Sequence, residues 1–508
     1  MSAIPTATRV SPPRLSARKR NILPSAITLA SLILISGCTV GPDYVRPKMD
    51  LPIAYKEQGP WKTAQPSQID SHQRWWEVYG DSILNDLIEQ ANQANQNIRL
   101  SEAQYRQAQA TASLARASLW PTVGASAGLS RAQTNTYDSL HLVNTDAIGL
   151  SASWEPDIWG AVRRSVEAGD AGTQASAATL AAARLSIQAT LAQDYLQLRV
   201  TDLQKDLYQR TVVAYTRSLE LTKHQYAAGV ALRSDVAQAE TLLLTTQAQL
   251  IDLDATRNQL EHAIAILVGK APAAFSLAPV KSNAAALQAS MPAIPTGLPS
   301  DLLERRPDIA NAERLAAAAN ANIGVARSAY FPSLTLGASG GYSSLTYGQL
   351  FDIPSRIWSL GSTLAATLFD GGARSARTDQ ATAAFDAAVA TYKQTVLGGL
   401  QEVEDNLSTL RVLDQESVTQ DSAVKAAQLS ERLALSQYQV GTVTYLSVVT
   451  AQATTLTNER TAAQLLGRQL VASVALVKAT GGGWHASDMD AVATTNTAQT
   501  TEPANSAN

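Results

Sequence analysis

Four short segments of the chain alternate apolar with small polar residues, the period-two pattern of β-strands. They lie at residues 121–130, 147–157, 332–342 and 357–368. One face of each is apolar, the other carries mainly Gly, Ser and Thr, and aromatic residues lie near the segment ends. Strands of outer-membrane barrels combine these features, because one face meets lipid and the other a watery lumen. Since four strands cannot close a barrel, and open edges in lipid leave backbone groups unpaired, we expect other copies of the chain to complete the ring.

Two very long helical segments without proline follow the strand pairs, at residues 160–225 and 371–438. Each would be about 100 Å long at ~1.5 Å per residue. Neither contains the run of about 20 apolar residues that a membrane-spanning helix needs, so coiled-coil-like packing is expected. Shorter helical segments, at about 84–118 and 235–268, together match one long helix and would pair with it if stacked end to end.

The chain is a duplication of one unit. The string RASLWP at 116–121 recurs as RSAYFP at 327–332, offset by 211 residues, and the QYxxG string at 225–229 recurs at 437–441, offset by 212. Each copy is predicted to contain a helix, two strands, a long helix, a tip turn and a helix. The predicted divisions are a signal peptide (1–37), an extended segment (38–74), the first repeat (75–270), an inter-repeat equatorial segment (271–300), the second repeat (301–484) and a disordered tail (485–508).

The N-terminal region is predicted to be an export signal. Residues 1–37 carry five basic and no acidic residues and include an apolar run from Ile22 to Ile35. The string ISGC that follows resembles the bacterial lipoprotein cleavage box, in which the Cys38 thiol receives the lipid and becomes the new N-terminus. Thr39 after the cysteine fits delivery to the outer membrane under that family's sorting rule. A buried structural cysteine is the alternative.

Composition argues against most other chemistry. Lys plus Arg total 40 and Asp plus Glu 43, so the basic excess of a nucleic-acid-binding protein is lacking. A single cysteine and five scattered histidines give no metal-ligand spacing. The carboxylates of Glu402, Glu404 and Asp405 are interpreted as a solvated helix face rather than an acid–base pair. We therefore expect no enzymatic activity, no metal and no cofactor other than a covalent lipid on Cys38.

Several motifs resemble those of the outer membrane factors of bacterial tripartite efflux systems, the TolC-like family, in its lipoprotein (NodT/OprM-type) branch. The resemblance covers about residues 38–484. The motifs that carry it are CTVGPDYVRP (38–47), WWEVYGDSILNDLIEQANQANQNI (75–98), LPSDLLERRPDIANAERLAAAANANIGVARSAYFPSLTL (298–336), LFDGG (368–372) and LVKATGGGW (476–484).

This resemblance implies a mainly α-helical fold with a transmembrane β-barrel. Three copies of the chain would form a homotrimer with a 12-stranded barrel in the outer membrane and a helical tunnel through the periplasm. The partners it implies are a periplasmic adaptor (membrane fusion) protein and an inner-membrane pump, usually of the RND type. The implied function is passive export of small toxic compounds.

Two turns, at residues 226–235 and 438–447, join each long helix to the helix that follows. Gly229 and Gly441 supply the turn backbone. The resemblance implies that both turns lie at the same periplasmic tip.

The resemblance also implies a link between Tyr438 and Asp235 that helps to hold the tip closed. The basic partner of this link would fall at Val443, so that contact is missing, and Arg233 is the candidate substitute. A plainer interpretation stays open, in which Arg233 and Asp235 form only a solvated turn and a helix N-cap.

An acidic constriction is not expected at this tip. The carboxylate pair that the family resemblance implies would fall at Ser447 and Thr450, which are both uncharged. Apolar side chains such as Leu446 are expected to contribute to closure instead.

Three alternatives to a drug export channel remain open. A periplasmic coiled-coil scaffold or adaptor without a pore would leave the four alternating segments unexplained. A lipid-anchored enzyme lacks a catalytic constellation in the sequence. An outer membrane duct for protein secretion shares the same fold, and the sequence does not identify the exported solute.

Overall fold

The computed structural model describes residues 39–57, 74–136, 139–280, 284–289 and 299–487. Short 3₁₀ turns connect several of its elements. The helices are α1 (Ser82–Ala94), α2 (Gln96–Ala117), α3 (Ala161–Ala227), α4 (Arg233–Leu267), α5 (Ala284–Ala289), α6 (Leu302–Arg305), α7 (Pro307–Ser328), α8 (Ala373–Gln439) and α9 (Tyr445–Ala479), and the strands are β1 (Thr122–Thr136), β2 (Ser139–Trp154), β3 (Ser333–Ser344) and β4 (Arg356–Ala365).

The two repeats have helices of matching length. Both α2 and α7 have 22 residues, α3 and α8 have 67, and α4 and α9 have 35. This agreement confirms the predicted mainly helical fold with two internal repeats and two strands in each. None of the helices in the described part of the chain combines the length and the apolar character that a bilayer crossing requires.

The chain forms two compact units, a strand unit and a helical unit. The strand unit contains one antiparallel sheet with the strand order β1-β2-β3-β4, so β1 and β4 are its edges. The indole of Trp159 stacks on Phe331 at 4.7 Å between ring centroids and donates a hydrogen bond to the Pro332 carbonyl oxygen at 2.7 Å. These contacts hold the last residues before α3 against the start of β3.

The first hairpin is longer than the sequence pattern predicts. The expected strands 121–130 and 147–157 are observed at 122–136 and 139–154. The apolar alternation stops at Arg131, but backbone pairing continues to Thr136↔Ser139 because ladder hydrogen bonds do not depend on side-chain polarity. At the other end β2 stops at Trp154, and Pro156 cannot donate to a ladder.

The second hairpin also differs at its ends. The expected segments 332–342 and 357–368 are observed at 333–344 and 356–365. Strand β4 ends where Ala365 pairs with Ser333, because the residue before Ser333 is a proline and β3 offers no further partner.

In the helical unit, the shorter helices lie along the long ones. Helix α2 contacts the first part of α3, where Arg116 pairs with Asp170 at 2.5 Å. Helix α4 contacts a later part of α3, where Lys205 pairs with Asp254. The predicted helix 84–118 is broken in the structure, because the extended Asn95 ends α1 and caps α2 with its side chain, accepting from the backbone N–H of Ile98 at 3.2 Å.

Both repeats close the junction between stacked helices in the same way. Asn95 donates to the carbonyl oxygen of Leu267, the last residue of α4, at 2.8 Å, and its counterpart Arg306 donates to that of Ala479, the last residue of α9, at 3.0 Å. Gly481 follows at φ +95°, and a Cβ there would lie 2.0 Å from the Arg305 carbonyl oxygen. Only glycine fits this close approach.

The segment 42–57, which we call the strap, has no helix or strand and is fixed to the second repeat by polar contacts. Asn320 donates to the Pro42 carbonyl oxygen at 2.9 Å, and the Tyr44 hydroxyl donates to the Glu313 carboxylate at 2.7 Å. The carboxylate of Glu404 accepts from the backbone N–H of Lys56 at 2.6 Å and of Glu57 at 3.0 Å.

These contacts correct the interpretation of the carboxylates on α8 as a solvated face. Glu404 binds the strap, and Glu402 pairs with the buried guanidinium of Arg306 at 2.8 Å. Only Asp405 remains an exposed carboxylate that contacts its own helix, through Gln401. The sequence pattern misses this role because the partners lie far away along the chain.

Candidate functional site

The sheet has one apolar face and one face of small polar residues, and both follow directly from strand register. Val123, Ala152, Ala338 and Leu360 are paired across the four strands and share the apolar face. The large side chains on this face are exposed in the chain. Exposed fractions are 77% for Leu129, 61% for Leu150, 77% for Trp358, 79% for Leu360 and 70% for Leu364.

The opposite face is built from residues that leave space and offer hydroxyl groups. The register places Gly124, Ser151, Ser339 and Ser359 in one row across it. The hydroxyls of Ser339 and Ser359 are hydrogen-bonded at 2.8 Å. A face of this kind suits contact with water and with polar solutes rather than with a packed core.

Each long helix begins with an Asp–Arg clamp. In the first repeat, Asp157 accepts from the backbone N–H groups of Val162 and Arg163, at 3.0 and 2.8 Å, and pairs with the Arg163 side chain. In the second, Asp370 accepts from the Arg374 N–H at 3.0 Å and pairs with its guanidinium at 2.7 Å. The carboxylate satisfies backbone donors that would otherwise be unpaired at a helix N-terminus.

Both tip turns adopt the same helix-ending motif. Gly229 and Gly441 have φ of +75° and +77°. The residue after each glycine donates its N–H to a carbonyl oxygen five residues back, Val230 to Gln225 at 2.9 Å and Thr442 to Gln437 at 3.0 Å. This geometry is the Schellman motif, in which glycine accepts the left-handed conformation without a Cβ penalty.

A cluster of hydroxyl groups ties the second tip turn to α3. Tyr445 is 1% exposed, and its hydroxyl oxygen is 3.0 Å from that of Ser218, which is a hydrogen-bond distance. The ring centroids of Tyr445 and Tyr438 are 5.1 Å apart. The Tyr438 hydroxyl is buried without a hydrogen-bond partner among the described residues. Burial raises the pKa of Tyr438, the nearby hydroxyl of Thr222 opposes this, and the charge of Asp235 adds to the increase.

The predicted link between Tyr438 and Asp235 is not formed as a hydrogen bond in the chain. The Asp235 carboxylate instead accepts from the backbone N–H of Leu232 at 3.1 Å, at the start of α4. This contact matches the helix N-terminal alternative. Arg233 is exposed and makes no ion pair with any described residue. The roles of all three residues at a gate stay predictions.

The remaining predicted tip residues lie together on the exposed face of α9. Leu446 is 56% exposed, and Ser447 and Thr450 are also exposed. Thr450 donates its hydroxyl to the Leu446 carbonyl oxygen at 2.9 Å. From Ser447 the same face continues as Thr454, Thr457 and Thr461, at alternating three- and four-residue spacing, and no charged residue occurs between 445 and 458.

Sequence reasoning missed Tyr445 and Ser218. The signal was present in the duplication, because an offset of 212 residues places Tyr445 opposite Arg233 of the first repeat. A buried tyrosine where the other copy has an exposed arginine indicates that the two tip turns have different environments. The predicted lipid site, Cys38, lies outside the described residues.

Comparison with known proteins assigns this architecture. The family model described as outer membrane efflux protein matches residues 87–270 and 298–482. The chain belongs to the outer membrane efflux protein family. One relative, the pyoverdine export outer membrane protein OpmQ of Pseudomonas aeruginosa, is 32% identical over 469 residues, which cover 90% of this chain and 98% of the relative.

Other relatives support the same assignment. The toluene efflux pump outer membrane protein TtgF of Pseudomonas putida is 30% identical over 469 residues, covering 90% of this chain and 96% of TtgF. The solved structure of the outer-membrane channel OprN matches with a TM-score of 0.81 at 31% identity, covering 88% of this chain and 100% of that chain. The chain is therefore an outer membrane efflux channel with a periplasmic helical extension, and its work is transport rather than enzymatic catalysis.

Proposed function

We propose that the chain acts as a homotrimer in which twelve strands close one barrel. The observation that carries this proposal is the four-stranded sheet with two open edges, an exposed apolar face and a face of Gly, Ser and Thr. Backbone groups at open edges have no partner in lipid, at several kcal/mol each, so β1 of one copy would pair with β4 of the next. Three chains supply twelve strands, enough to leave a lumen.

The barrel would continue into a tunnel walled by the long helices, and solutes would pass through it without meeting lipid. Transport by this chain would be passive, with energy supplied by an inner-membrane pump, of the RND type, through a periplasmic adaptor. The names of the relatives, pyoverdine export and toluene efflux, support small toxic or secreted compounds as substrates. The proposed functional divisions are the signal peptide, anchor segment, repeats, equatorial segment and tail at the boundaries predicted from the sequence.

A lipid on Cys38 is part of the proposal. We expect the Cys38→Ser variant to lose the mass of the covalent lipid and to retain an unprocessed signal. Mass spectrometry of the membrane-extracted protein measures both changes. The matched control is Thr39→Ser, which keeps the cysteine. An unmodified Cys38 in the wild-type protein would contradict the anchor.

The experiment that tests the pore is reconstitution of the purified protein into planar bilayers. A trimer that gives stepwise conductance supports the channel. A monomer without conductance, with residues 121–157 and 332–368 protected from membrane-embedded labels, would favour the scaffold alternative.

The tip turns are proposed to form the gate, with the Tyr445–Ser218 contact holding the second turn closed. The Tyr445→Phe variant removes only the hydroxyl and leaves the Ser218 hydroxyl buried without its partner, at a cost of about 1–3 kcal/mol. We expect the open probability of reconstituted channels to rise roughly fivefold or more. Single-channel recording measures this change directly.

Two phenylalanine variants serve as controls for this prediction. Tyr208 lies in the same buried cluster, and its hydroxyl makes no hydrogen bond to the described residues, so Tyr208→Phe should leave gating unchanged.

The Tyr438→Phe variant distinguishes two models of the closed gate. A leaky Tyr438→Phe channel supports the Tyr438–Asp235 link in the assembled protein, whereas a leak confined to Tyr445→Phe supports the contact with Ser218. Equal gating in Tyr445→Phe and wild type would contradict the proposed latch.

The lining of this gate is proposed to be uncharged. Leu446, Ser447 and Thr450 would form its narrow part, and Gly229 and Gly441 would fix the turns. Arg233 and Asp235 would lie at its rim. The hydroxyl face that continues along α9 supports this description. The threonines on this face, which are Thr450, Thr454, Thr457 and Thr461, each donate to their own helix and present only weak acceptors outward.

A further inference from the structure

The four strands contain only two basic residues other than histidine, one on each edge strand. Arg131 lies on β1 and Arg356 on β4. The register places Arg356 in one row with Ala127, Ile148 and Tyr342, so it belongs to the apolar face. Arg131 follows Leu129 on the same face, two residues further along β1.

Both arginines lie toward the hairpin end of their own pair of strands, and the row of Arg131 is four residues nearer that end than the row of Arg356. The hairpin end is opposite to the end from which the chain continues into the long helices. In the proposed barrel, with the helices in the periplasm, the hairpin end would face the cell exterior. At the other end the apolar face carries no basic residue, so positive charge marks the outer boundary alone.

Neither guanidinium pairs with an acidic group in the part of the chain that the structure describes. Arg131 and Arg356 are both exposed, and neither forms an ion pair with a described residue. Asp146 lies on the same face, diagonal to Arg131, but the two side chains are not paired. Tyr342 and Trp358 lie on this face nearby, and rings of this type favour the boundary between hydrocarbon and headgroups.

We propose that Arg131 and Arg356 bind phosphate groups of the glycolipid that forms the outer leaflet of the outer membrane. Guanidinium groups match phosphate geometry with two parallel hydrogen bonds. Leu150 and Leu360 lie on the same face, nearer the helix end of the sheet than either arginine. A lipid with its acyl chains against these two leucines would direct its headgroup toward the arginines. In a closed ring, edge strands β4 and β1 of neighbouring copies meet, so both arginines would flank each seam. This inference rests on the proposed trimeric barrel.

The test compares two lipid probes on the purified trimer in non-ionic detergent. Native mass spectrometry records retention of bisphosphorylated lipid A and of the same lipid without phosphates. We expect the wild-type protein to prefer the phosphorylated lipid, and the Arg131→Gln/Arg356→Gln variant to lose that preference by on the order of thirtyfold. Asp146→Asn should strengthen it, because a carboxylate on the same face that repels phosphate is removed.

The matched control is Arg106→Gln, an exposed arginine on α2 in the helical unit. It should bind both lipids as the wild type does. Equal retention of the two lipids by the wild type, or an unchanged preference in the double variant, would overturn the inference. Bilayer conductance of the same preparations distinguishes failure of the phosphate site from failure of the proposed channel function. A conducting trimer without lipid preference refutes only the phosphate site, whereas a protein that forms no trimeric pore refutes the proposed function.

Discussion

Replacing Leu360 with Arg is expected to destabilise the assembled protein by about 2–4 kcal/mol per protomer. Leu360 lies in the middle of β4, on the apolar face, and is 79% exposed in the chain. In the proposed barrel this row meets the bilayer interior, where a guanidinium has neither water nor a partner. The midpoint temperature at which trimers dissociate in detergent, read on a gel, measures the effect.

The neighbouring residue gives a matched control. Ser359 is on the opposite face, where its hydroxyl bonds to that of Ser339. Ser359→Arg places the same charge in the proposed lumen, so we expect trimers of nearly wild-type stability with a conductance shifted toward anions. If Ser359→Arg were the more damaging change, the assignment of the two faces would be reversed.

Replacing Arg257 with Met is expected to cost about 3–5 kcal/mol in the free energy of unfolding. The Arg257 guanidinium, 8% exposed, contacts Asp202 at 2.8 Å and Glu261 at 2.6 Å and donates to the Leu277 carbonyl oxygen at 2.6 Å. Burial alone lowers its pKa, but the hydrogen bonds and charges of Asp202 and Glu261 outweigh burial and raise it. Without the cation, two carboxylates remain buried beside one another. Thermal and denaturant unfolding followed by circular dichroism reports the loss.

An exposed ion pair on α3 supplies the control for this prediction. Arg210 and Asp206 are 3.0 Å apart, with side chains 68% and 48% exposed. Arg210→Met should therefore change stability by less than about 1 kcal/mol. Neutralising the two acids as Asp202→Asn and Glu261→Gln should recover part of the stability of Arg257→Met. If Arg210→Met lowered the free energy of unfolding as much as Arg257→Met, burial of the ion pair would not explain the destabilisation.

The repeats, the long helices and the four strands were predictable, because each depends on a pattern local to its own segment. Duplicated motifs located the two repeats, and long runs without proline indicated the long helices. Strand ends were less predictable, since pairing beyond Arg131 follows from backbone hydrogen bonds that no side-chain alternation reports. The break at Asn95 was also missed, because a capping asparagine inside an otherwise helical run is a weak signal.

At the tip, the sequence predicted the turns and their glycines but not the contacts around them. The QYxxG strings located Gly229 and Gly441, whose backbone requirement is local. The contact between Ser218 and Tyr445 joins residues 227 positions apart, so only the packing of α9 against α3 brings them together. Asp235 was easier to predict, because its contact with the backbone N–H of Leu232 is local in the sequence. This contact matches the expected role at a helix N-terminus.

Two of the residues that receive the strap bind its main chain. Glu404 binds two backbone N–H groups and Asn320 binds a backbone carbonyl, so these contacts do not depend on which side chains the strap carries at those positions. During evolution Pro42 and Lys56, which are bound through the main chain, are therefore freer to change than the residues that receive them, whereas Tyr44 and Glu57 bind through their side chains. Purifying selection should fall on Glu404 and Asn320, whose loss no single change in the strap would restore.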